Sequence, residues 1–145
     1  MEQAERPSVP ERSGAELTRA KTILVVDDDE QNRKLLRLVL RRASYHVIEA
    51  PNGMSGVELA KTHRPHLILM DVRLPDINGL EATRRIKGDP AVRDTPVLAV
   101  SAYAMDEDIQ RAMQAGCVGY LTKPLDLKVL RREVSRHLGE REQPT

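Results

Sequence analysis

Aromatic side chains are almost missing from this chain: 145 residues include three tyrosines, no phenylalanine and no tryptophan. A core must therefore be built from Leu, Ile, Val, Ala and Met, and a base-stacking nucleic-acid platform, which needs exposed rings, is disfavoured. Cysteine occurs once, at Cys117, so neither an internal disulfide framework nor a cysteine-rich zinc site can form. That lone thiol reads as a small buried hydrophobe rather than a redox centre. Charge excess is missing too, with 23 Lys and Arg against 22 Asp and Glu for a net charge of +1. No overall field draws the chain onto nucleic acid or an anionic membrane. No apolar run approaches the length that spans a bilayer. The first twenty residues are polar, carry Pro7 and Pro10, and lack the apolar centre of a signal peptide. A cytoplasmic protein without direct nucleic-acid or membrane partners is expected.

What is present fits one ordinary domain. Hydrophobic residues make up 40% of the chain, enough for a real core at this length and too many for general disorder. Residues 1–20 read as a charged, flexible tail, and 139–145 as a second one, since Gly139 and Pro144 follow the last periodic segment. The domain is expected over 21–138. Within it, short apolar runs at Ile23–Val26, His46–Ile48, Leu67–Met70, Val97–Val100 and Val118–Leu121 fit strands. Helical patterns lie between them. Leu36, Val39, Leu40 and Ala43 share a face near 30–43, and Leu127, Leu130, Val134 and Leu138 share one near 126–138. Ile109, Ala112 and Met113 mark another helix, and 54–63 and 79–87 complete the set.

The pattern is βα repeated five times. Strands one, three and four are apolar throughout, as parallel strands covered by helices on both faces are. Right-handed crossovers then give an α/β fold with an open, doubly wound sheet of five parallel strands. Ligands in such folds bind outside the carboxyl ends of the strands, at a topological switch point.

Those ends carry a coherent set of groups. Strand one ends in Asp27, Asp28, Asp29 and Glu30, strand three in Asp71 and strand four in Ser101, while Lys123 and Pro124 follow strand five. Carboxylates a few ångströms apart repel, by roughly 4 kcal/mol for a pair at 4 Å in a medium of effective dielectric near 20. Either protons or a cation must offset this. Mg²⁺, a hard ion that keeps few carboxylates alongside waters and phosphate oxygens, suits the set, and Mn²⁺ would serve similarly. A metal and the Lys123 ammonium beside a carboxylate would receive a phosphoryl group well, since its transfer depends on positioning and charge neutralisation. Aspartate is a competent phosphoryl-accepting nucleophile.

Four motifs in this order resemble the receiver domain of response regulators, the family of the chemotaxis response regulator and of phosphorelay proteins. They are Ile23–Asp28, then Leu69–Pro75 with Gly79, then Ala99–Ala102, then Gly119–Pro124. The likeness spans roughly 21–138. It implies a flavodoxin-like strand order, 2-1-3-4-5, with helices on both faces. It also implies two-component signalling, with Asp71 forming an aspartyl phosphate from a phosphohistidine on a sensor histidine kinase or a histidine phosphotransfer protein. By the same likeness Asp28 and Asp71 bind Mg²⁺, Asp27 helps through water, and the Arg73 backbone carbonyl is a further ligand. Ser101 would hydrogen-bond the phosphoryl group, and Lys123 would pair with it. Tyr120 would turn inward as Ser101 moves, changing the surface of the fourth helix, fifth strand and fifth helix. The Lys123–Pro124 bond is expected to be cis. Arg73 and Tyr103 occupy two positions that tune kinetics in receivers; both are large, and crowding of the phosphoryl group against water is expected. Ala102–Met105 and Ala115–Cys117 resemble single-domain chemotaxis-type, cell-division-type or hybrid-kinase receivers. Ser101 stands where Thr is commoner and keeps the hydroxyl.

Plainer readings stand beside these. The acidic triplet taken alone is a solvated turn, Asp71 alone a cap, Lys123 and Ser101 alone surface groups, and Tyr120 plain core. Arg33, Arg37 and Arg41 read as a solvated helix face, with Arg41 and Arg42 complementing the helix C-terminus. His46, His63, His66 and His137 show no metal-ligand spacing. Among other functions, a metal-dependent phosphatase with an aspartate nucleophile usually carries a second Asp where this chain has Arg73. A nucleotide or flavin carrier needs a Gly- or Ser/Thr-rich loop after strand one, where this chain has acids. A third alternative is an inactive receiver serving as a phosphorylation-independent binding module. No output domain is legible after the fifth helix, so output by contact with a downstream protein or by onward phosphoryl transfer is expected. Catalysis would be limited to the protein's own phosphorylation and dephosphorylation, so it is not expected to be an enzyme in the wider sense.

Overall fold

The structure, a computed structural model, describes residues 20–139. The two expected tails lie outside the described residues, apart from Ala20 and Gly139. Ten elements alternate: β1 (Thr22–Val26), α1 (Glu30–Arg42), β2 (His46–Ala50), α2 (Gly53–His63), β3 (Leu67–Asp71), α3 (Gly79–Lys87), β4 (Val97–Ser101), α4 (Asp106–Ala115), β5 (Gly119–Thr122) and α5 (Leu127–His137). All strand pairs are parallel, in the order β2-β1-β3-β4-β5. The expected doubly wound sheet is the observed one.

Side-chain parity divides the core into two layers. Leu24, Val26, Ile68, Met70, Val97 and Ala99 point to one face, where Val57, Ala60, Leu80, Ile86, Ala112 and Ala115 of α2, α3 and α4 cover them. Ile23, Val25, Leu67, Leu69, Leu98 and Val100 point to the other, under Leu36 and Leu40 of α1 and Leu130 and Val134 of α5. Because successive strand residues face opposite sides, only strands apolar at every position can be buried by both helical layers. Each such side chain removed from water contributes about 1.5–3 kcal/mol before entropy is counted.

Four helices begin on a side-chain oxygen that accepts backbone N–H groups: Asp29 for α1, Asn52 for α2, Asn78 for α3 and Asp126 for α5. At the start of α4 stands Met105, which has no such oxygen; its own N–H donates instead to Asp108 Oδ2 at 3.2 Å. The expected faces need two corrections. Ala43 is exposed, just past the end of α1. In α4 the buried residues are Ala112 and Ala115, while Met113 is 45% exposed. Small alanines let this helix lie close to the sheet, which turns the longer methionine outward. Cys117 is buried, as expected, and its burial pushes the thiol above its usual range.

Candidate functional site

The carboxyl ends of β1, β3, β4 and β5 meet where the chain leaves the sheet in opposite directions: β1 leads to α1 on one face, β3 to α3 on the other. Asp71 is the last residue of β3 and is buried. Its Oδ2 accepts from Lys123 Nζ at 3.0 Å, and its Oδ1 accepts from the Arg73 N–H at 3.2 Å. Lys123 also lies 3.5 Å from Asp27 Oδ2, so one ammonium spans two buried carboxylates. The Lys123 N–H donates to the Ser101 carbonyl at 2.9 Å, which carries the strand pairing past the end of β5 and aims the side chain inward. The Lys123–Pro124 bond is cis.

The four acids after β1 separate into different jobs. Asp27 is 3% exposed, and its Oδ1 accepts the Asp29 N–H at 2.8 Å. Asp28 is exposed, and one oxygen from each of Asp27, Asp28 and Asp71 lies within 4.8 Å of the others. Asp29 is the α1 cap, accepting Gln31 N–H at 2.8 Å, and Glu30 is in the first helical turn. The strand-end acid cluster is thus Asp27, Asp28 and Asp71, without Asp29 and Glu30.

Electrostatics follow from burial. Loss of water pushes the Asp71 carboxyl above its ordinary range, the Lys123 hydrogen bond and charge pull it back, and the Asp27 carboxylate pushes it up again. Burial would lower the Lys123 ammonium, but Asp71 and Asp27 outweigh it and hold the group above its usual value. Three carboxylates and one ammonium leave the site net negative. All-oxygen donors so close together fit a hard divalent cation and do not fit a soft one.

Gly79 explains how the loop after β3 reaches this arrangement. Its N–H donates to the Val72 carbonyl at 2.8 Å, and a Cβ placed there would stand 2.0 Å from the Asp71 carbonyl oxygen. Only glycine lets α3 start this close to the strand end. Asp76, which sequence reasoning missed, holds the same loop from the other side. Its two carboxylate oxygens accept the Gly53 and Met54 N–H groups, both at 2.8 Å. This carboxylate caps α2 from 22 residues downstream, so no local sequence pattern signals it.

On the outer rim, Ser101 is buried and its Oγ accepts the Tyr103 N–H at 3.1 Å. The Tyr103 carbonyl accepts the Tyr120 hydroxyl, and the Arg73 guanidinium lies over the Tyr103 ring. Tyr120 is half-buried and packs against the core layer under α2, α3 and α4. A cleft of about 450 Å³ lies here, lined in part by Arg73, Ser101, Tyr103 and Tyr120. The expected site residues Asp27, Asp28, Asp71, Arg73, Ser101, Tyr103, Tyr120 and Lys123 are therefore brought together.

The arginine face of α1 needs a correction. Arg33 Nε and Arg37 Nη1 both pair with the Glu49 carboxylate of β2, and Arg33 Nη1 donates to the Asp27 carbonyl at 2.7 Å. Two of the three arginines expected in solvent are tied to the sheet.

Comparison with known proteins agrees with this geometry. The family model for the response regulator receiver domain matches residues 23–135. The polar-differentiation response regulator DivK of Brucella anthropi is 40% identical over 120 residues, which is 83% of this chain and 98% of that protein. Among solved structures, the receiver domain of the sensor histidine kinase PA1611 from Pseudomonas aeruginosa is 35% identical, with a TM-score of 0.78 over 83% of this chain and 99% of that one. That structure holds a magnesium ion coordinated in its active-site cleft. The chemotaxis protein CheY4 of Vibrio cholerae is 26% identical with a TM-score of 0.77, covering 81% of this chain and 98% of its own.

Proposed function

This chain belongs to the response regulator receiver domain family, and on that premise we propose that it is a phosphorylation switch with Asp71 as the phosphoryl acceptor. The donor is a phosphohistidine of a sensor histidine kinase or histidine phosphotransfer protein. The observation that carries this reading is the pairing of Asp71, buried at the end of β3, with Lys123 at 3.0 Å inside a cluster of three carboxylates.

An Asp71 carboxylate oxygen attacks phosphorus, the P–N bond breaks, and the imidazole leaves with the bonding electron pair. Asp28, Asp71 and the Arg73 carbonyl would hold Mg²⁺ or Mn²⁺, with Asp27 acting through water; the bound ion would neutralise phosphoryl oxygens that the carboxylates otherwise repel. Lys123, already between Asp71 and Asp27, has the reach to pair with the incoming charge. Ser101 Oγ accepts one N–H and keeps its own proton free to donate to a phosphoryl oxygen. A shift of Ser101 toward that oxygen pulls on Tyr103 through its N–H, and Tyr103 carries the pull to Tyr120 through its carbonyl. The phosphoryl group biases this linkage only by its differential affinity for the two arrangements.

The protein then promotes only its own phosphorylation and dephosphorylation, and its output is a changed surface read by a downstream protein or by a second histidine. Site mapping tests the proposal. Borohydride reduction of the phosphorylated protein converts an aspartyl phosphate to homoserine, and peptide sequencing by mass spectrometry should find it at residue 71 alone. Homoserine elsewhere, or none in protein that has taken up phosphoryl, contradicts the assignment.

A further inference from the structure

The backbone at Asp27 is held on both sides of its Cα, through the N–H of one peptide and the carbonyl of the next. The Asp27 N–H donates to the Ala50 carbonyl at the end of β2, 3.1 Å away, which ends the β1–β2 pairing. The Asp27 carbonyl accepts Arg33 Nη1 at 2.7 Å. That carbonyl lies in the same rigid plane as the Asp28 N–H, so its direction sets where the exposed Asp28 side chain projects. Arg33 is in turn held by Glu49, with Nε 3.3 Å from Oε1, and the second Glu49 oxygen is taken by Arg37. Both charged side chains of the Arg33–Glu49 pair are mostly buried, 17% and 23% exposed. A planar guanidinium holds its partners from a rigid fork, whereas the donors of an ammonium rotate and fix no plane.

We propose that Arg33, clamped by Glu49, is a positioning residue that aims the Asp27–Asp28 peptide and so sets the affinity of the carboxylate cluster for its divalent cation. The proposal rests on the metal-binding reading above. It runs against simple electrostatics. A fixed positive charge beside a cation site weakens cation binding, so deleting it should strengthen binding if charge alone matters. If orientation matters more, deletion weakens binding. Partners that orient metal ligands from outside the coordination sphere are worth about 10–100-fold in metal affinity.

The experiment is calorimetric titration of the full chain with Mg²⁺, without phosphoryl donor and well below each variant's melting midpoint. The proteins are wild type, Arg33→Ala, Arg33→Lys and the charge-balanced pair Arg33→Ala with Glu49→Ala. The expected result is about tenfold weaker Mg²⁺ binding in both alanine variants and a smaller loss in Arg33→Lys. Equal or tighter binding in a folded Arg33→Ala or in the paired variant overturns the proposal. Where the alanine variants fail to fold, Arg33→Lys decides: wild-type affinity overturns the proposal, and weaker binding supports it. No binding by wild type overturns the metal reading and this proposal together, whereas wild-type binding unchanged by every Arg33 substitution overturns this proposal alone.

Discussion

The Arg73 guanidinium lies over the Tyr103 ring, 4.4 Å from its centroid. Arg73 comes two residues after Asp71 and Tyr103 two residues after Ser101, and both line the cleft beside the strand ends. Tyr103 is half exposed, and a stack of this kind is worth about 0.5–1 kcal/mol at such a site. Water approaching a phosphoryl group on Asp71 would meet two large side chains held against each other. The Arg73→Ala and Tyr103→Ala double variant should therefore lose its phosphoryl group severalfold faster than wild type, followed as phosphate release after the donor is removed. A wild-type half-life no longer than that of the variant would sink the idea.

Gly79→Ala should be among the most damaging single-methyl changes in the chain. The added carbon would stand 2.0 Å from a backbone oxygen, where no side chain can swing aside. Overpacking of this kind costs about 1–3 kcal/mol, and a backbone obstacle places it at the upper end. Urea denaturation should show a lowered midpoint, and phosphorylation should slow because the Asp71 carbonyl is displaced with the loop. A variant with wild-type midpoint would contradict the close approach.

The sheet and the strand-end cluster were legible in the sequence mainly because strands buried on both faces leave unbroken apolar runs, and their ends are easy to find. Asp71 and Ser101 come directly from that rule, whereas Lys123 follows the less buried β5 and stood out through the Gly119–Pro124 motif. What stayed hidden depends on register and on partners distant in sequence. Glu49 meets Arg33 and Arg37 only because β2 pairs with β1 so that Glu49 stands beside Val25, and helix spacing alone made those arginines look solvated. Asp76 caps a helix that precedes it. The acids after β1 form a single run in sequence, yet Asp29 belongs to the helix and Asp27 to the core. In α4, alanines rather than the larger Met113 face the sheet, which a periodicity weighted by hydrophobic size misreads.

Asp76→Ala should destabilise the fold at neutral pH and lose that effect in acid. Burial alone would raise the Asp76 carboxyl, but the Met54 and Gly53 N–H groups outweigh it and hold it below the usual carboxylate range. A depressed carboxyl stabilises the fold above its unfolded value, and that stability is lost as pH falls through the folded value. Thermal melts of wild type and variant should therefore be separated at pH 7 and converge below the ordinary aspartate range. A gap independent of pH would contradict the charged cap.

Asp71→Asn should melt at a higher temperature than wild type in chelator. Burial raises the Asp71 carboxyl, so the folded state disfavours its charge at neutral pH, and a neutral side chain of the same shape removes that cost. The sign is opposite to that of Asp76: a raised carboxyl makes the fold relatively more stable as pH falls. Millimolar Mg²⁺ should narrow the difference by stabilising wild type through binding. A wild type already more stable than the variant in chelator, or indifferent to Mg²⁺, would contradict this electrostatic picture.

Phosphorylation at Asp71 is tested most directly by intact-mass measurement after incubation with Mg²⁺ and acetyl phosphate or phosphoramidate, alongside Asp71→Asn. The expected result is a single phosphoryl adduct that requires Mg²⁺, is labile in base and is absent from the variant. Contradiction would come as no adduct with either donor in folded protein, or as an adduct that persists when Asp71 is replaced.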